Sequence, residues 1–183
     1  MYYKTYYDSP LGKILLVSDE QNLIGLWIDG QKYYLDSFSQ ELKQKNEIEI
    51  LEKAKNWLDR YFKGEKPSIN ELQLAPIGNE FRQTVWKILC EIPYGETMTY
   101  GEIAKKMAQI MNKKSMSAQA VGNAVGHNPI SIIIPCHRVI GANGILTGYA
   151  GGIEKKIQLL KLEQVNMEKM FIPKKEHKHN RKD

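Results

Sequence analysis

The chain has 183 residues, 42% of them hydrophobic, with a formal net charge of +5, enough for one large or two small domains with a real core. No apolar stretch approaches the roughly 18 residues of a spanning helix, the start Met1-Tyr2-Tyr3-Lys4-Thr5 lacks the apolar region of a signal peptide, and Cys90 with Cys136 makes neither a disulfide framework nor a Cys-x-x-Cys metal site. A reduced cytoplasmic protein with no membrane partner is the expectation.

The charge is unevenly spread. Residues 1–76 carry 10 basic and 12 acidic groups, residues 77–168 carry 10 and 7, and residues 169–183 carry 6 and 2. The body is therefore near neutral and the surplus lies in the second half and the tail. That permits a nucleic-acid partner without demanding one.

Tyr6 to Asp29 reads as a β-hairpin or meander, with strand-like runs at 13–17 and 23–28 separated by Asp19-Glu20-Gln21-Asn22. From Glu47 the period changes. Ile50, Leu51, Ala54, Trp57, Leu58, Tyr61 and Phe62 recur at helical spacing, and Gly64 with Pro67 ends the helix. Residues 67–76 are loosely patterned and read as a linker between halves.

The second half reads as mainly helical. Phe81, Val85, Ile88, Leu89 and Ile92 form one stripe, stopped at Pro93-Tyr94-Gly95, and Cys90 within it reads as an inert core thiol. Thr99 and Glu102 have the spacing of a capping box, opening a helix whose expected apolar face is Ile103, Met107, Ile110 and Met111. After the polar break at 112–115 comes a small-residued helix over 117–126, terminated by Gly126-His127-Asn128-Pro129. The pair fits a helix-turn-helix or a plain αα-hairpin packed into the core, and pattern alone leaves both open.

The apolar run 130–134 reads as a buried strand that delivers Cys136 to the break Pro135-Cys136-His137-Arg138-Val139. A thiol held there can be activated to the nucleophilic thiolate, although a buried structural cysteine fits the pentapeptide equally well. Adjacent side chains of an extended segment point to opposite faces, so His137 meets the sulfur only across a turn or a bridging water. Two glycine-rich turns follow, at 141–144 and 148–152, matching neither a phosphate-binding nor a dinucleotide fingerprint. The helix from about Ile153 through Leu162 ends near Glu163, which is either a surface carboxylate or a buried group fixing one tautomer of His137. The tail, residues 169–183, reads as basic, solvated and disordered. Its His177 and His179 make a poor two-ligand metal site.

Three runs converge on a family: Phe81 to Trp86 with 92–97 and 99–102, then 128–141, then 146–152. In order and density they closely resemble the O6-alkylguanine-DNA alkyltransferases (methylated-DNA–protein-cysteine methyltransferases), with Pro-Cys-His-Arg-Val the most specific part. Ser9-Pro10-Leu11-Gly12 and Tyr61-Phe62-Lys63-Gly64 resemble the family's N-terminal domain more weakly. The resemblance implies an α+β architecture. A small N-terminal α/β, ribonuclease H-like domain would span 1–76, and a mainly helical C-terminal domain with a helix-turn-helix would span 77–168.

It also implies an activity: irreversible, single-turnover transfer of a methyl or small alkyl group from O6-alkylguanine in double-stranded DNA to Cys136. The base would be flipped and the duplex bound from the minor groove by a monomer, without metal or organic cofactor; O4-alkylthymine is left open. Cys136 would accept the alkyl group, His137 would take the thiol proton through a water and Glu163 would hold His137. Asn128 would be the hinge joining the recognition helix to the active-site segment. Tyr100 would contact the guanine, the carbonyls of Cys136 and Val139 would accept from its amino group, Tyr149 would wall the pocket, and the Ala150 amide would face O6. Arg138 is counted with the substrate-binding residues. Gln119 stands where the family commonly has an arginine finger, which implies weaker DNA binding. Two other classes stay open at this point: a non-catalytic DNA-binding regulator, disfavoured by the cysteine, and a cysteine hydrolase, which would turn over repeatedly.

Overall fold

The computed structural model describes residues 1–36 and 38–174. The basic run from 175 onward, including His177 and His179, lies outside the described residues.

Strands β1 (Tyr2–Ser9), β2 (Gly12–Ser18), β3 (Leu23–Ile28) and β4 (Leu42–Gln44) form one sheet in the order β3-β2-β1-β4. β2 is antiparallel to both β1 and β3, and β4 runs parallel to β1. The sheet begins at Tyr2, not Tyr6. Tyr3 and Thr5 point inward between Tyr2, Lys4 and Tyr6, an alternation with too few aliphatic residues to read as a strand in sequence. β2 and β3 are buried on both faces, which makes them near-continuous apolar runs. Ile14, Leu16, Leu26 and Ile28 join the main core under helix α1 (Glu49–Phe62), while Leu15, Val17, Ile24 and Trp27 form a second cluster with Leu35, Phe38 and Leu42.

Residues 67–76 are more than a linker. Leu72 is buried, the indole of Trp57 donates to the Ser68 carbonyl at 3.0 Å, and the amides of Leu23 and Ala75 pair this stretch with the edge of β3. The edge is thereby covered rather than left open.

The second half comprises α2 (Glu80–Cys90), α3 (Tyr100–Ile110), α4 (Ala118–Gly126) and α5 (Ile153–Leu162), with a parallel two-stranded ladder of β5 (Met98–Thr99) and β6 (Val139–Ile140). Asn79 and Ser117 cap α2 and α4, and Thr99 with Glu102 forms the reciprocal capping box expected for α3. The buried face of α3 is rotated from the expected one. Ile103, Ala104, Met107 and Ala108 are inside, whereas Ile110 is 61% and Met111 39% exposed. Ile110 is the last residue of α3 and Met111 its C-cap, so both stand at the exposed end of the helix. Trp86 donates to the Ala124 carbonyl at 2.9 Å and ties α2 to α4. One hydrophobic cluster runs through both halves. No helix among the described residues is long and apolar enough to cross a membrane.

The expected strand at 130–134 is not formed. Ile130 makes one isolated bridge to Leu26, with Leu26 N–H donating to Pro129 and Ser131 N–H to Leu26. The chain then turns, with Ile132 at φ 69° although it is β-branched and fully buried. Such a backbone costs of order 1–3 kcal/mol and persists only where surroundings over-determine it. Asn128 does so: its amide donates to the Ile134 carbonyl at 2.8 Å and its oxygen accepts from Ile130 N–H at 3.0 Å. A run of buried isoleucines reads the same in a strand and in a tightly closed loop.

Residues 169–172, expected to begin the disordered tail, dock on the body. Phe171 bridges Ile145, Leu146 N–H donates to Phe171, and a Cβ at Gly144 would sit 2.3 Å from the Lys169 carbonyl oxygen.

Candidate active site

Cys136 opens a short 3-10 turn, Cys136–Arg138. The turn replaces the extended geometry that would have sent Cys136 and His137 to opposite faces. Edge strand β3, through the Ile130 bridge, and the Asn128 clasp fix the approach to it. Cys136 is 4% exposed and lines a cleft of about 200 Å³ with Tyr100, Tyr149 and Ala150. Gly122 of α4 lies against the Tyr100 ring, where an added Cβ would be at 3.8 Å.

His137 is fully buried and its Nε2 lies 2.5 Å from Glu163 Oε2. Glu163, at the C-terminal end of α5, is 2% exposed. Its other partners are Tyr61 Oη at 2.6 Å, Arg138 Nε at 2.7 Å and the Gly95 amide at 3.1 Å. Each carboxylate oxygen thus accepts two hydrogen bonds, the full complement of an ionised carboxylate. Burial would raise the Glu163 pKa, but the His137 and Arg138 contacts overcome it and hold the group well below the usual range. An ionised Glu163 accepts a hydrogen bond from Nε2–H, so the proton stays on Nε2 and the Nδ1 lone pair is left available. Nδ1 has no protein partner among the described residues. Burial also lowers the His137 pKa, against the pull of Glu163, so the imidazole is neutral and basic at neutral pH. Gly95 serves this site through its backbone, with φ 80° and its amide on the carboxylate.

The resting thiol is protonated: burial pushes its pKa up, and the Asn128 amide and the Lys156 charge pull it partly back. Lys156 was not singled out in the sequence. It lies in a run of three charged residues, Glu154-Lys155-Lys156, yet is fully buried. Its Nζ donates to Val139 at 2.5 Å, Gly148 at 3.2 Å and Thr147 at 3.3 Å. It clamps the Cys136 turn to the 147–148 loop, and burial lowers its pKa to about 8. Tyr61 stands in an apolar stripe and in the weak Tyr61-Phe62-Lys63-Gly64 match, neither of which points to Glu163; its hydroxyl carries the first half's contact to that carboxylate.

The structure brings Tyr100, Asn128, His137, Tyr149, Ala150 and Glu163 around or behind Cys136. One of the two lone pairs of the Val139 carbonyl is occupied by Lys156. Tyr149 Oη is buried with no protein partner among the described residues. Gln119 is exposed on the first turn of α4, outside the cleft. Arg138, expected at the substrate, points the other way: Nη1 donates to the Ile92 carbonyl at 2.7 Å and the guanidinium lies 5.8 Å from the Tyr94 ring centroid. The 3-10 turn puts it two residues past Cys136 and on the Glu163 side. Cys90 is half-buried beside a second cleft behind this turn, and burial raises its thiol to about 11, which keeps it inert. Among the described residues no group of three or more His, Cys, Asp or Glu could hold a metal ion.

Comparison with known proteins gives one answer over nearly the whole chain. The ribonuclease-like domain of 6-O-methylguanine DNA methyltransferase matches residues 1–76 and its DNA-binding domain matches residues 80–165. The methylated-DNA–protein-cysteine methyltransferase of Methanosarcina acetivorans is 48% identical over 173 residues, 89% of this chain and 98% of its own. That of Haemophilus influenzae is 41% identical over 163 residues, 89% and 87% of the two chains. The crystal structure of Mycobacterium tuberculosis OGT in complex with DNA superposes with a TM-score of 0.75 at 41% identity, covering 89% of this chain and 92% of that one.

Proposed function

Because the chain belongs to the 6-O-methylguanine DNA methyltransferase family, we propose that it repairs DNA by moving the alkyl group of O6-alkylguanine onto Cys136. The observation that carries this is the line Glu163–His137 behind a cysteine that lines a cleft. Glu163 fixes the imidazole proton on Nε2, and His137 Nδ1 takes the thiol proton through a water. The thiolate attacks the O6-alkyl carbon, a carbon–sulfur bond forms and the carbon–oxygen bond breaks. The electron pair leaves on O6, and the proton ends on the guanine, which departs as the ordinary base. The thioether is a poor leaving group, so each molecule acts once.

An alkylated O6 in a stacked duplex is out of reach of a buried sulfur, so the nucleotide is flipped into the cleft at a cost of a few kcal/mol. α3 and α4 act as a helix-turn-helix. α4, with Ala118, Ala120, Gly122 and Ala124, lies in the minor groove, and exposed Gln119 fills the gap left by the base. Few base-reading side chains on α4 suits repair that is independent of sequence. Tyr100 and Tyr149 sandwich the flipped guanine, the carbonyls of Cys136 and Val139 accept from its amino group, and the Ala150 amide faces O6. Asn128 is the hinge between α4 and the Cys136 loop. Arg138 is a positioning residue acting through Glu163. Residues 1–76 form a ribonuclease H-like domain and residues 77–168 the transferring domain of a cytoplasmic monomer.

Incubation with excess duplex containing O6-methylguanine tests the reading. Loss of the lesion should plateau at one per protein molecule and vanish in Cys136→Ala. Continued turnover past that plateau, or transfer by Cys136→Ala, contradicts it.

A further inference from the structure

Every wall of the Cys136 cleft but one comes from the helical half. The exception is the turn after β3, where Lys32 and Tyr33 line the same cleft as Cys136 and Tyr149. This strap is anchored on both banks. On one, Lys32 N–H donates to the Ala150 carbonyl at 2.8 Å. On the other, the Tyr33 ring stacks on His127 with centroids 3.8 Å apart and planes at 24°. His127 is itself fixed, its Nδ1 lying 2.7 Å from the Asn123 carbonyl of α4. Tyr33 has φ 58°, a left-handed backbone that an aromatic residue holds only where contacts impose it. It is also 45% exposed, so burial in the core does not explain its position.

We propose that the Lys32-Tyr33 strap sets the upper size of the group that Cys136 accepts, making Tyr33 a specificity-determining residue supplied by the sheet half. The inference rests on reading Cys136 as the alkyl acceptor. The cleft, at about 200 Å³, is smaller than the roughly 300–1,000 Å³ of pockets that take drug-sized ligands. A purine with a one-carbon substituent fills such a space. An aromatic substituent on O6 must extend toward the mouth, where the half-exposed Tyr33 ring stands pinned between the recognition helix and the 148–152 loop. A pinned ring cannot swing aside, so rejection by size is steep.

Single-turnover rates on duplexes containing O6-methylguanine and O6-benzylguanine test this. Wild type should transfer benzyl far more slowly than methyl. Tyr33→Ala should raise the benzyl-to-methyl rate ratio about tenfold or more, the scale on which a pocket discriminates small steric differences, while Tyr33→Phe, which keeps the stack, should leave the ratio in place. His127→Ala, which frees the ring to swing, should raise the ratio too and decides the matter if Tyr33→Ala does not fold. A wild-type protein that takes benzyl as fast as methyl, or a ratio unmoved in folded Tyr33→Ala or His127→Ala, overturns the proposal. Failure of wild type to transfer methyl to Cys136 overturns the acceptor reading instead.

Discussion

Replacing Glu163 with glutamine separates the electrostatic from the steric role of the group behind the histidine. The carboxylate is 2% exposed and accepts from Tyr61, Gly95, His137 and Arg138 at 2.5–3.1 Å. Glutamine keeps the shape, removes the charge and turns one acceptor into a donor that faces other donors. Arg138, 9% exposed, then loses its counter-ion, and removing one member of a buried pair costs about 3–5 kcal/mol. Set against a total stability of roughly 5–15 kcal/mol, the variant remains foldable but marginal. His137 loses the anion that keeps its proton on Nε2. The equivalent tautomer error in a serine-protease triad lowers kcat by about 10⁴, and general-base assistance alone is worth about 10²–10⁴. Glu163→Gln should therefore lower the unfolding free energy by about 3–5 kcal/mol in urea melts. It should also slow single-turnover methyl transfer by about 10²–10⁴-fold at a temperature where it is folded. A folded Glu163→Gln whose stability lies within about 1 kcal/mol of wild type and whose rate is unchanged refutes the assignment of Glu163 as a charged orienter.

Burial depresses the His137 pKa, so its neutral, basic form survives to lower pH than in an ordinary histidine. The transfer rate should hold as pH falls through 6.5, the ordinary histidine value, and decline only below it; a rate already halved at that pH contradicts the reading. Stability follows the same sign. The unfolded chain binds more protons at His137 below 6.5 and at Glu163 below 4.5, so the urea midpoint should fall as pH drops through those windows and stay level from there up to about pH 8, where Lys156 begins to titrate. A midpoint that rises on acidification excludes it. Lys156→Met removes three hydrogen bonds but also a buried charge whose pKa is already lowered. Those terms oppose, so stability should change by less than about 2 kcal/mol while the loosened Cys136 turn slows transfer about tenfold or more. A large stability loss with an unchanged rate would assign Lys156 to folding alone. Gln119→Arg adds a cation to an exposed first turn of α4 and should tighten duplex binding at fixed salt while steepening its salt dependence. Weaker binding in a titration contradicts the placement of α4 on DNA.

What the sequence discloses follows periodicity. α1 and α2 show as stripes of buried residues one turn apart, and the α3 cap shows as Thr99 and Glu102. β2 and β3 show as apolar runs because both their faces are covered. β1 does not, since its inward residues are Tyr3 and Thr5. The 130–134 segment misleads for the opposite reason: every residue is buried, and composition carries no trace of the left-handed Ile132 or of the Asn128 clasp. At the site, Cys136, His137 and Glu163 were legible through a familiar pentapeptide and its downstream partner. Tyr61, Lys156 and the Lys32-Tyr33 strap were not, because each acts across a long sequence separation from what looks like ordinary stripe, surface or turn. Arg138 sits one residue beyond His137, and only the 3-10 turn decides that it faces Glu163 rather than the cleft.

The most direct measurement is intact-mass and peptide analysis of the protein after reaction with O6-methylguanine duplex. One added methyl group per chain, carried as a thioether on the peptide containing Cys136, is the expected product. An unmodified protein with the lesion nonetheless removed, or a methyl group located on Cys90 or any other residue, contradicts the account.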